Sequence, residues 1–304
     1  MKKKMLYIML SFIIITVIAI IIFNQTQTKP IVLEAVQENI EKEMQETESE
    51  LEQYAMGSIE EDDEEEEELN ESKQRKLPER ISEVVSGTID FFKDKTRIVA
   101  IGDSLTQGVG DQTKRGGYIG ILERTINATS EIALFENYGK RGNRSEQLLA
   151  RIDEEEIISS LEKADIVLIT IGANDIMQVA KENIMNLNIE AFAQERTYYE
   201  ENLNTTIEKI LQINPNTSIF LVGFYNPFEK YFQDIKELKI IAESWNSTTN
   251  EVANQYDETV YIPIEDLFSD TEEDLFAEDN FHPNYYGYHL IAQRVLEYIT
   301  SEES

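Results

Sequence analysis

The groups from which covalent chemistry could be built are few. A serine stands in the run Gly102-Asp103-Ser104-Leu105, the whole chain holds only two histidines, His282 and His289, and Asp279 lies three residues before the first of them. A serine hydroxyl is a weak nucleophile until a neighbouring base takes its proton. Imidazole suits that task because free histidine titrates near pH 6.5. The base is therefore His282 or His289. His282 is the better placed, because Asp279 can turn back to accept the Nδ1 proton, fix the tautomer and stabilise the imidazolium. Pro283 disfavours the helical region for His282 and opens the last helix, which leaves the histidine on a loop. His289 falls inside that helix beside Tyr288 and Leu290 and reads as a packed or surface histidine.

Taken alone, the serine segment is an ordinary Gly/Asp/Ser turn. It is not a phosphate loop, since no Gly-Lys-Ser/Thr follows. Nor is it a Gly-x-Ser-x-Gly elbow, since Thr106 takes the place of the second glycine. What gives it interest is position. Strands read at Arg97–Ile101, Ile132–Glu136, Ile166–Ile171, Ser218–Phe224 and Val260–Ile264. Helices read near Tyr118–Ile126, Ser145–Leu161, Glu195–Ile213, Ile235–Gln255 and Asn284–Ile299. Continuous apolar strands between helices predict a parallel sheet covered on both faces, an α/β/α three-layer sandwich of about 230 residues. Ser104 then lies just past a strand's carboxyl end, where open α/β sheets bind ligands. Two further polar segments follow strands: Asn137-Tyr138-Gly139-Lys140-Arg141-Gly142-Asn143 and Gly172-Ala173-Asn174-Asp175.

With Gly102-Asp103-Ser104-Leu105, Gly139, Gly172-Ala173-Asn174-Asp175 and Asp279-x-x-His282-Pro283 in that order, residues 96 to 301 resemble the SGNH (GDSL-type) hydrolases, a family of serine esterases, lipases and acyl hydrolases. The resemblance implies Ser104 as nucleophile, His282 as base and Asp279 as its orienting partner. It implies an oxyanion hole from the Ser104 N–H, the Gly139 N–H and the Asn174 amide. Gly142 lies close to Gly139, and the Asn-x-Gly pattern favours Gly139. The family also implies a five-stranded sheet of flavodoxin-like order 2-1-3-4-5. Its neighbouring strands, ~4.8 Å apart, would open their loops beside one another. Glycine at 139 would leave the N–H open to substrate, and asparagine at 174 donates without a charge that repels an oxyanion. Asp103 and Asp175 read as loop ties. Gly223 to Phe228 could line an acyl or sugar pocket, or be only an aromatic loop. Ile176 to Arg196 could be a flap or plain core. No cofactor or metal site is expected.

Composition narrows the setting. The 304 residues carry 59 acidic and 27 basic side chains, a net charge of −32, which argues against a nucleic-acid partner. The absence of cysteine excludes disulfides and thiolate metal sites. Lys2, Lys3 and Lys4 precede an apolar run from Met5 to Phe23, which as a helix at ~1.5 Å per residue roughly crosses a ~30 Å hydrocarbon core. With lysines on its amino side and no small-x-small cleavage site after it, residues 1–23 read as a retained signal anchor in the cell membrane, the bulk of the chain outside. Residues 24–76, with the acidic run Glu60 to Glu68, read as a solvated stalk. The hydrolase domain is expected over 77–304, opening on a helix with one apolar face. The expectation is a membrane-anchored serine ester hydrolase acting outside the membrane on lipid, glycan or small-molecule esters. The competing reading is a non-catalytic envelope binding or scaffold protein.

Overall fold

The computed structural model describes residues 92, 95–128, 130–183, 189–226, 236–269 and 274–301. The anchor, the acidic stalk and the helix expected after Leu77 lie outside the described residues, except Phe92, which is buried in the core. Among the described residues no helix is long and apolar enough to cross a membrane.

Five strands, β1 (Thr96–Gly102), β2 (Ala133–Gly139), β3 (Ile166–Thr170), β4 (Ser218–Val222) and β5 (Thr259–Ile262), form one parallel sheet in the order β2-β1-β3-β4-β5. That is the expected order. The side-chain period of two sends alternate residues to opposite faces, and both faces are apolar here. Ile98, Ala100, Leu168, Phe220 and Val222 share one cluster with Tyr118 and Leu122 of helix α2 (Gly117–Ile126) and Val295 and Leu296 of helix α8 (Tyr285–Ile299). Val99, Ile101, Val167, Ile169, Ile219 and Leu221 are buried on the other side. Each such side chain contributes roughly 1.5–3 kcal/mol on leaving water.

The remaining helices are α1 (Ser104–Gln107), α3 (Ser145–Arg151), α4 (Glu155–Leu161), α5 (Ala173–Glu182), α6 (Ile189–Ile213) and α7 (Lys236–Ala253). Two differences from the sequence reading have physical causes. The single helix expected over 145–161 is two. The chain breaks at Ile152 to Glu154, so that Glu155 and Glu156 fall in a first turn, where the macrodipole favours negative charge. The last helix begins after Pro283 rather than with it. Asn284 takes the cap by accepting from the Tyr286 and Gly287 N–H groups at 2.9 and 3.0 Å. Of the two readings of Ile176 to Arg196, flap or core, the described residues favour core: much of the stretch is helix with a packed face, since Ile176, Val179 and Phe192 are buried.

Candidate active site

Ser104 is placed by the end of β1. Asp103 caps the one-turn helix α1, its Oδ1 accepting from the Leu105 N–H at 3.0 Å. As the first helical residue, Ser104 has a backbone N–H without an intrahelical acceptor. Asp103 is tied to the next strand: its N–H donates to the Thr170 carbonyl at 3.1 Å, and the Thr170 hydroxyl donates to Oδ1 at 2.9 Å. Since Thr170 spends its proton on the carboxylate, it accepts from Thr106 at 2.7 Å, and Thr106 in turn accepts from Tyr118 at 3.3 Å. Burial pushes the Asp103 carboxyl up to about 6, against the pull of the Leu105 N–H, the Thr170 hydroxyl and His282. Thus Asp103 is a tie beneath the serine, as expected, and the hydroxyl chain behind it has no local signature in the sequence.

His282, with Asp279 behind it, meets Ser104 across a sequence separation of 178 residues. His282 Nε2 lies 3.0 Å from Ser104 Oγ, and His282 Nδ1 lies 2.5 Å from Asp279 Oδ2. The other carboxylate oxygen accepts from the Phe281 and His282 N–H groups at 3.0 and 2.9 Å. Burial pushes the Asp279 carboxyl up, but His282 and these N–H donors together hold it below the ordinary range. Both Ser104 and His282 are buried. His289 is elsewhere. It is buried in α8, edge-on to the Tyr285 ring at 4.4 Å, and neither ring nitrogen has a hydrogen-bond partner among the described residues. Burial pushes it down to about 4.

The second block is organised differently from the expectation. Gly139, last in β2 and paired with Gly102, directs its N–H to Asn137 Oδ1 at 2.8 Å. A Cβ at 139 would come within 2.2 Å of the Gln107 nitrogen and 2.5 Å of the Thr106 carbonyl carbon. Glycine is needed there so that β2 can pack against the backbone of the nucleophile helix, and not to open the N–H to substrate. Gly142 is the reverse case. It is exposed, has φ +77°, and a Cβ built on it meets nothing within 4 Å. Among the described residues its N–H finds no acceptor. Asn137 completes the join by donating from Nδ2 to the Thr106 carbonyl at 2.8 Å. The Asn-x-Gly signature marks that turn in the sequence but does not say which glycine keeps its N–H.

Asn174, in the first turn of α5, donates to the Asn143 carbonyl at 3.0 Å. Next to it, Asp175 accepts from the Ser145 N–H at 3.1 Å through both oxygens and from its hydroxyl at 2.5 Å. Burial pushes Asp175 up to about 7 despite these donors. Arg151 braces the same loop through the Tyr138 carbonyl and Asn143 Oδ1 at 2.9 and 3.0 Å. The start of α5 and the loop carrying Gly142 are therefore fastened together. Above Ser104 opens a cleft walled by Leu105, Ile171, Ala173, Phe224, Tyr225 and Phe281. Of the stretch 223–228, Gly223, Phe224 and Tyr225 line it, and 227–228 lie outside the described residues. Among the described residues no group of three or more acidic or histidine side chains could hold a metal ion.

Residues 100–290 match the GDSL-like Lipase/Acylhydrolase family. The uncharacterized protein YpmR of Bacillus subtilis (strain 168) is 33% identical over 214 residues, covering 69% of this chain and 84% of that protein. The spore germination lipase LipC of Bacillus licheniformis is 25% identical over 205 residues, 64% of this chain and 92% of that one. In fold, the lipase Lip_vut3 from a goat rumen metagenome superposes with a TM-score of 0.62 at 22% identity, covering 69% of this chain and all of that one. An acetylxylan esterase from Geobacillus stearothermophilus does so with 0.52 at 21% identity, over 69% and 98%. The chain belongs to the GDSL-like lipase/acylhydrolase family and is a carboxylic ester hydrolase.

Proposed function

We infer that the enzyme cleaves esters through an acyl-enzyme on Ser104, with His282 as general base and acid and Asp279 holding its tautomer. The observation that carries this is the unbroken series Ser104 Oγ, His282 Nε2 at 3.0 Å, and Asp279 Oδ2 at 2.5 Å from Nδ1. With the Nδ1 proton committed to Asp279, Nε2 has a lone pair for the serine proton. Attack by Oγ on the ester carbonyl carbon moves that proton to Nε2 and leaves an oxyanion. The imidazolium then returns the proton to the departing alkoxide, which leaves as alcohol. A water repeats the sequence on the acyl-enzyme and releases the acid. The oxyanion is served by the Ser104 N–H and by the Asn174 amide, whose second N–H is not needed by Asn143. For the remaining donor Gly142 replaces Gly139, because only Gly142 has its N–H unspent.

The apolar walls of the cleft, Leu105, Ile171, Phe224 and Phe281 among them, favour an apolar acyl group on the ester. Membrane attachment through residues 1–23, with the hydrolase domain outside the cell membrane, is part of the same proposal and rests on the sequence of that segment. Replacing Ser104 with Ala tests the whole reading. Fluorophosphonate labelling and nitrophenyl-ester hydrolysis are both expected to vanish, and a variant that still labels would refute it. Labelling of intact cells by a membrane-impermeant fluorophosphonate tests the location.

A further inference from the structure

Asp279, Phe281 and His282 form a unit whose internal geometry is local. The aspartate binds the two N–H groups and the ring that follow it within three residues. The Ala277 N–H closes on the His282 carbonyl at 2.8 Å, and Phe276 pairs with Pro283 in an antiparallel bridge. These contacts fix the loop's own shape. They do not fix its distance from Ser104, which the sheet carries. A 1 Å error in that distance separates an activated serine from an idle one.

Tyr225 supplies a link between the two. It follows β4 at the carboxyl edge of the sheet and is buried, and its hydroxyl donates to the Phe281 carbonyl at 2.6 Å. Its ring cannot swing away. It lies 4.3 Å from Phe268 and 5.5 Å from Phe276, which are themselves 5.5 Å apart. The acceptor is the residue directly before the histidine, and the Phe281 ring stands edge-on to His282 at 4.9 Å. A hydroxyl anchored by tilted and edge-on ring contacts thus holds the acid–base loop at a set height above the strand ends.

We propose that Tyr225 is a positioning residue for the reaction, its hydroxyl setting His282 against Ser104 through the Phe281 carbonyl. The inference rests on the serine-hydrolase reading above. Tyr225→Phe keeps the ring and removes only the donor. It is expected to lower kcat about 10- to 100-fold, with KM within about twofold, and to slow fluorophosphonate labelling by the same factor. The urea midpoint is expected to stay near that of the wild type. In a Ser104→Ala background, adding Tyr225→Phe is expected to leave the Kd of an unreacted nitrophenyl ester unchanged.

Two results would overturn the proposal: a Tyr225→Phe kcat within twofold of wild type, or a loss that resides in KM and Kd. The two readings fail separately. An active Ser104→Ala enzyme removes the mechanism, whereas an inactive one beside a fully active Tyr225→Phe enzyme removes only the role of Tyr225.

Discussion

Replacing Gly139 with Ala is the sharpest test of how the nucleophile is held. The new methyl would lie 2.2 Å from the Gln107 nitrogen, 2.5 Å from the Thr106 carbonyl carbon and 2.7 Å from the Gln107 Cα, against 3.4 Å for ordinary contact. All three atoms are backbone, so no rotamer change can relieve the overlap. Either β2 or α1 must retreat by roughly 1 Å, and α1 carries Ser104. The Ser104–His282 separation of 3.0 Å would then open past hydrogen-bonding distance. We expect kcat to fall on the order of 100-fold and stability to fall by about 1–3 kcal/mol, as for other overpacked sites. The comparison is Gly142→Ala. It meets no atom, and its cost in stability is the left-handed backbone, roughly 1–2 kcal/mol. Nitrophenyl-ester kinetics with fluorophosphonate titration of active enzyme, alongside urea unfolding, measures both effects. A Gly139→Ala enzyme with wild-type kcat and midpoint would refute the packing argument.

Two further outcomes follow from the electrostatics. Asp279→Asn leaves the ring without its anionic partner and allows the wrong tautomer, so kcat should drop by about 10³–10⁴ with little change in urea midpoint; steady-state kinetics on purified variant decides it. His289 is held down to about 4 by burial. Between the unfolded value near 6.5 and 4 the unfolded chain binds a proton that the folded one refuses, so stability contributed at neutral pH is lost as pH falls through that window. The loss is on the order of 3 kcal/mol at most. Urea unfolding of His289→Phe across pH 4 to 7 should show a shallower acid decline than the wild type, and an unchanged decline would refute it.

Much of this enzyme was legible in the order of its residues. Runs such as Ile98 to Ile101 and Ile166 to Ile169 are apolar on both faces, which only a sheet covered on two sides can bury, and this marks a parallel α/β fold. The pairing of Asp279 with His282 is legible because both are on one short loop and their bond is local. The choice between two histidines follows from the same locality, since His289 sits in helical sequence. What the sequence could not disclose depends on atoms brought together from distant segments. Gly139 and Gly142 look equivalent until Asn137 takes one N–H and the Gln107 backbone crowds the same residue. Tyr225 is one aromatic among several until its hydroxyl meets a carbonyl 56 residues on. Residue types and periodicity determine which groups are present and which face each strand buries. Only folding decides which donors are already spent and how far apart the reacting atoms stand, because those are properties of tertiary contacts that no local propensity encodes.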